Sequence, residues 1–173
     1  LDSNTDLRVV YAALHSTRSV TPPTTYLGLF YPVVGEYEEF VQAGQRHRLP
    51  CGYWGICISH KGVYTSEPTG PVGLWAVTLD VGEAREFSEI ARNPVFYCQP
   101  AARPERLEAL YATVAERYLQ HGYTAKIRLK SAILELIAFA LDEAADVESE
   151  SERELPLPPA IELAERFMCA RLA

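Results

Sequence analysis

Two textures of hydrophobic position divide the chain. From Leu7 to Val81 the apolar residues fall in short runs rich in β-branched and aromatic side chains: Val9-Val10-Tyr11, Tyr26 to Tyr31, Phe40-Val41, Tyr53 to Ser59 and Val72 to Leu79. Runs of that composition and length predict strands. Turn signals separate them at Thr21-Pro22-Pro23, Val34-Gly35-Glu36, Ala43-Gly44-Gln45, Pro50-Cys51-Gly52, His60-Lys61-Gly62 and Glu67 to Pro71. Connections this short join antiparallel neighbours, so residues 1–100 read as a small antiparallel sandwich or barrel.

After Pro100 the period changes to that of helices. Pro104 and Glu105 suit a first helical turn; Leu107, Leu110 or Tyr111, Val114 and Tyr118 form one stripe, and His121-Gly122 ends it. A second helix runs from near Thr124 to about Ala145, completing an antiparallel helix pair over residues 101–145. Leu129, Ile133, Leu136 and Ala140 share one side of this helix, while Leu134, Ile137 and Leu141 share a neighbouring side. An apolar arc that wide packs on two partners or is buried by its own chain. With two partners, one is a second copy, and Leu129, Ile133 and Leu136 are the expected homodimer contacts.

Residues 146–155 hold five acids and one base, so residues 146–157 read as a solvated acidic linker. Beyond Pro158-Pro159, Ile161, Ala164, Phe167, Met168 and Leu172 fall at helical spacing and are read as the first helix, 158–173, of a further domain. A chain that opens on Leu1 and stops inside that helix is expected to be part of a longer protein.

Composition narrows the partners. Lys and Arg number 16 against 23 Asp and Glu, a net charge of −7, which leaves no basic surplus to neutralise phosphates. Nucleic acid is therefore not the expected direct ligand of this chain. No apolar run approaches the roughly 18 residues that cross a bilayer, and the first 20 residues lack a signal-peptide layout. The reading is a cytoplasmic protein without a membrane partner. Cys51, Cys57, Cys98 and Cys169 form no Cys-x-x-Cys pair and are expected to be reduced and mostly buried.

Chemistry-bearing patterns are sparse. His47 stands alone in Gln-Arg-His-Arg-Leu, no His-x-His pair occurs, and Glu38, His47 and His60 have no ligand-like spacing, so neither a metal nor another cofactor is expected. Ser59 and His60 are adjacent and point to opposite faces of a strand, and no Gly-x-Ser-x-Gly elbow or Gly-rich phosphate loop is present. Glu38-Glu39 and Asp142-Glu143 read as solvated charge. With no pattern for catalysis, the expectation is a protein that is not an enzyme. What remains is a strand region furnished with Tyr11, Tyr26, Tyr31, Tyr53, Trp54, Tyr64 and Trp75, whose ring faces and polar tips suit a pocket for a small organic molecule.

This order of parts resembles the AraC family of bacterial transcription regulators, in which a cupin-like sensor barrel, a helix pair and a linker precede a DNA-binding domain with two helix-turn-helix units. The resemblance rests on Gly52 to Tyr64 and Gly73-Leu74-Trp75-Ala76-Val77 in the strand region, on Lys130 to Ile137 in the second helix, and on Pro158 to Met168. Tyr53 departs from the Asp that often follows the family's turn glycine. The resemblance implies a barrel that binds an effector, a sugar or other small organic molecule, and helices that dimerise. DNA would be contacted only by a domain outside this chain. The implied pocket lies inside the barrel with Trp75 in its wall, since Gly73 two positions earlier leaves space beside the ring. Tyr31 and Tyr64 are its aromatic partners and His60 a polar contact near the rim. A metal-independent cupin enzyme, a free-standing small-molecule binding protein and a regulator without an effector are the alternatives.

Elemental analysis of protein purified without a metal-affinity tag is expected to find no stoichiometric Zn, Fe, Mn or Ni. A stoichiometric metal would refute the reading of the histidines.

Overall fold

The computed structural model describes the backbone of residues 8–15, 26–35, 37–42, 45–59, 64–67, 73–80 and 95–150, and the side chains of 27–35, 47–58, 73–79 and 96–144. It is an α+β structure that divides into two compact units, Leu1–Pro100 and Ala101–Ala173. The division falls where the hydrophobic period changes.

The first unit contains β1 (Arg8–His15), β2 (Tyr26–Val34), β3 (Tyr37–Gln42), β4 (Gln45–Leu49), β5 (Tyr53–Ser59), β6 (Tyr64–Glu67), β7 (Gly73–Asp80) and β8 (Val95–Pro100). Five of them make one antiparallel sheet in the order β1-β7-β2-β5-β8, and the other three make a second in the order β4-β3-β6. No backbone ladder joins the two sheets among the described residues, so the structure is an open pair of sheets where a closed barrel was expected. The strand runs read from the sequence all lie in this unit. Three strands went unread there: β4, β6 and β8.

Register assigns the side chains to faces. Tyr31 stands opposite Trp75, Leu29 opposite Val77 and Ile56, and Leu27 opposite Leu79 and Ile58, while Trp54 stands opposite Gln99. Directly paired residues share a face, so these residues form one face of the five-stranded sheet, and most of them are buried. Phe30, Cys57, Leu74 and Ala76 point the other way and pack with Leu49 of β4, edged by Tyr53, Phe96 and Cys98. Both faces are thus apolar. That accounts for the nearly unbroken hydrophobic stretches of β2, β5 and β7, since a strand covered on one face only would alternate.

Two glycines allow this approach. Gly52, at φ +80°, makes the turn that carries the chain from β4 into β5; its N–H donates to the Pro32 carbonyl at 3.0 Å. Gly55 makes room for Leu49: a Cβ there would lie 3.2 Å from Leu49 Cδ1 and 3.2 Å from the Tyr97 carbonyl oxygen.

The second unit is a hairpin of α1 (Pro104–Leu119) and α2 (Ala125–Glu150). Leu107, Leu110, Tyr111 and Val114 of the expected α1 stripe are buried, and Tyr118 is exposed. α2 runs on to Glu150, so residues 146–150, read from the sequence as linker, are helical. No helix among the described residues is long and apolar enough to cross a membrane.

The start of α1 has no local cap. Arg103 stands at the N-cap position and makes no capping side-chain bond. The Glu143 carboxylate of α2 accepts from the Arg103 N–H at 2.8 Å and from the Ala102 N–H at 3.4 Å, and pairs with Arg103 Nε at 3.4 Å. The guanidinium also lies 4.6 Å above the Phe139 ring centroid. A carboxylate at a helix N-terminus answers both the orphan N–H groups and the dipole. The solvated charge expected at Asp142-Glu143 holds for Asp142, which is exposed, and not for Glu143, which is buried.

Glu143→Ala would leave the Ala102 and Arg103 N–H groups at the start of α1 without their acceptor, a loss comparable to that of an N-cap, about 0.5–2 kcal/mol. Urea denaturation is expected to show a loss of about 1 kcal/mol, and stability equal to the parent's would show that the cap contributes nothing.

Candidate functional site

The residues nominated from the sequence are only partly brought together. Trp75 of β7 and Tyr31 of β2 are direct register partners; Tyr31 is buried and Trp75 half-buried. They lie on the sheet face opposite Phe30, Cys57, Leu74 and Ala76, the residues packed with Leu49 of the second sheet. Tyr31 and Trp75, expected in the wall of a pocket inside the barrel, share the sheet face that carries Leu29, Val77 and Ile56. The space expected beside Gly73 is filled as well, because a Cβ there would lie 3.2 Å from Val34 Cβ and 3.4 Å from Val33 Cγ2. His60 lies outside the described residues. Tyr64 stands in β6 with its side chain outside them.

The expected dimer contacts differ in exposure. Ile133 and Leu136 are 1% and 0% exposed in a single chain, and Leu129, near the helix start, is half-buried. Ile133 and Leu136 are used up by the chain's own packing. Of the neighbouring side, Ile137 is buried as well, and Leu134 and Leu141 are half-buried.

One cluster on the sheet is chemically unsatisfied. Trp54 and Gln99 face each other across β5 and β8, 1% and 5% exposed. The Trp54 indole lies against the Tyr97 ring, with centroids 5.6 Å apart and planes tilted by 55°. The Tyr97 hydroxyl donates to Gln99 Oε1, which fixes the amide and leaves Nε2 as its free donor. Neither Trp54 Nε1 nor Gln99 Nε2 has a hydrogen-bond partner among the described residues. Buried donors are nearly always paired, since desolvation without a bond is costly. The two stand on directly paired residues of β5 and β8, and each calls for an oxygen acceptor.

Sequence reasoning counted Trp54 among the aromatics without selecting it, and passed over Gln99. The available signal was the alternation Phe96-Tyr97-Cys98-Gln99, which puts the amide on the same strand face as Tyr97 in an otherwise apolar segment.

On the opposite face, His47 of β4 stacks on Phe96 of β8, ring centroids 4.7 Å apart and tilted by 38°. Burial of the imidazole lowers its pKa from the usual 6.5. Cys98 beside it donates to the Arg48 carbonyl at 3.7 Å, and burial pushes its thiol pKa up, so it is a poor nucleophile. Cys57 is buried, Cys51 is exposed against expectation, and neither is in a disulfide; Cys169 lies outside the described residues. Among the described residues no three His, Cys, Asp or Glu side chains gather to hold a metal.

No protein-family model matches the chain, and no curated protein matches it.

The His47 shift has a pH signature. The unfolded chain takes up this proton at a higher pH than the folded chain does, so stability rises with pH. The contribution is complete above the unfolded value near 6.5 and is lost as pH falls below it toward the lowered folded value. Between about pH 7 and about pH 5.5 the urea midpoint of the parent should fall more steeply than that of His47→Gln; parallel curves would exclude His47 as the source.

Proposed function

We propose that this chain is the effector-binding and dimerisation part of a cytoplasmic AraC-type transcription regulator, with a cupin-like β unit as sensor. DNA is bound by a helix-turn-helix domain outside the chain. The observation that carries the reading is the pair of unmet donors, Trp54 Nε1 and Gln99 Nε2, in a β unit followed by a separate helix hairpin. That layout supports a division of labour, with recognition on strands and association on helices.

The effector in this reading is a small organic molecule, a sugar or an organic acid, that offers an oxygen to both donors. Tyr97 orients the Gln99 amide and lends ring surface beside Trp54. Such a ligand binds the folded state alone and raises its stability, by about 2.7 kcal/mol at a hundredfold excess over Kd.

A thermal-shift panel of sugars and small carboxylates tests this. At least one compound is expected to raise the Tm of the parent, and Trp54→Phe or Gln99→Met should weaken its binding about two- to tenfold, the range of one lost hydrogen bond. Without ligand, Gln99→Met removes a buried unmet donor but also the acceptor of the Tyr97 hydroxyl, so its stability should stay within about 1 kcal/mol of the parent's. Equal ligand shifts in the parent and both variants would overturn the site; turnover of the bound compound would favour a cupin enzyme over a sensor.

A further inference from the structure

The closed end of the helix hairpin is basic in an acidic chain. Residues 117–134 hold Arg117, Lys126, Arg128 and Lys130 and no acid, while the whole chain has a net charge of −7, so everything else sums to −11. Arg117 is taken up locally, by the Glu116 carboxylate at 3.8 Å and Gln120 Oε1 at 3.0 Å. Lys126, Arg128 and Lys130 are exposed, and among the described residues none of them has an ion pair. Lys126 and Arg128 stand in the first turn of α2, where the helix dipole favours anions, so the hairpin alone leaves their charge uncompensated.

The same end is also apolar. Leu119, the last residue of α1, is 74% exposed, Tyr123 in the connecting turn 100%, and Ile127 in the first turn of α2 69%. With Tyr118 they are four of the five large hydrophobic residues exposed among the described residues. Single exposed apolar residues need no explanation, but a cluster rimmed by charge marks a contact. Leu119, Tyr123 and Ile127 come from the end of one helix, a turn and the start of the next, so they crown the end of the hairpin. Phosphates of a nucleic acid would use the three cations and leave these side chains in water. A flat surface that is anionic outside and apolar beneath uses both sets at once.

We propose that this end of the hairpin docks on an anionic lipid surface, with Leu119, Tyr123 and Ile127 at the boundary between headgroups and acyl chains and Lys126, Arg128 and Lys130 against the lipid phosphates. Tyrosine suits that boundary, its ring toward the apolar side and its hydroxyl toward water. Lysine and arginine lay their aliphatic stems along apolar surface and carry the charge back to the headgroups. The contact is peripheral and asks for no spanning segment, in keeping with the lack of any helix among the described residues that could cross a membrane. A cytoplasmic protein meets such a surface on the inner leaflet, which carries anionic lipids. The acidic remainder of the chain is repelled by the same leaflet, and this steers the basic end toward it.

Cosedimentation of the 173-residue chain with lipid vesicles tests it, using phosphatidylcholine alone and phosphatidylcholine with about one third phosphatidylglycerol, an anionic content at which cationic side chains are attracted. The chain is expected to bind the mixed vesicles about tenfold or more tightly than the neutral ones, and to be released as salt is raised. Lys126→Gln, Arg128→Gln and Lys130→Gln together should weaken binding about tenfold or more, and Tyr123→Ser with Ile127→Ser about fivefold. All five positions are exposed, so both variants should keep the parental circular dichroism; the comparison of the two vesicles needs no variant at all. No binding to the mixed vesicles, equal binding to both kinds, or an apolar variant held as tightly as the parent would overturn the proposal. So would a random DNA duplex that strips the parent from the vesicles and binds the apolar variant equally well, since the cations would then serve a nucleic acid.

Discussion

A sheet that is apolar on both faces has to be covered twice, and the β unit follows from that constraint. β7, β2 and β5 carry large aliphatic and aromatic residues in both directions, so neither face can be left to water without losing about 25 cal/mol for each Å² uncovered. On one face the cover includes Leu49, which β4 brings in from the second sheet. Gly55 has no side chain where Leu49 comes closest, and Gly52 makes the turn that sends β4 straight into β5. The few polar atoms trapped on such a sheet then stand out, because most of their buried neighbours are apolar and offer no hydrogen bond.

Strands that carry the apolar faces were legible from their composition. β4 was not, because Gln45-Arg46-His47-Arg48-Leu49 has one aliphatic residue in five and takes strand form through its ladder with β3. β8 is short and lies directly before the change of period at Pro100, so its composition does not stand apart from the helical region that follows. Faces were harder than elements. Trp75 and Tyr31 are register partners, yet period-two reasoning says only which residues share a face and leaves open which face meets the second sheet.

The helix pair shows the same limit in another geometry. Two neighbouring apolar sides were visible on α2, and nothing in the spacing ranks one as core and the other as outward. Burial decides it for Ile133 and Leu136. Residues 146–150 are the remaining disagreement: an acidic composition suits a linker, but Ala144, Ala145 and the run of Glu residues are all compatible with continuing an established helix, and elongation is easier than nucleation. Gln99 was missed for a different reason, since its role depends on a partner, Trp54, forty-five positions earlier in the chain.

The bond from Glu143 to the start of α1 also bears on the order of folding. The acceptor lies forty residues from the N–H groups it serves, and Arg103 offers no local substitute. The first turn of α1 is thus conditional on hairpin closure, while the middle of the helix can form from its own sequence. Those two amides behave as a latch whose hydrogen exchange follows the opening of the hairpin as a whole, so the frayed end of one helix reports on the docking of the other.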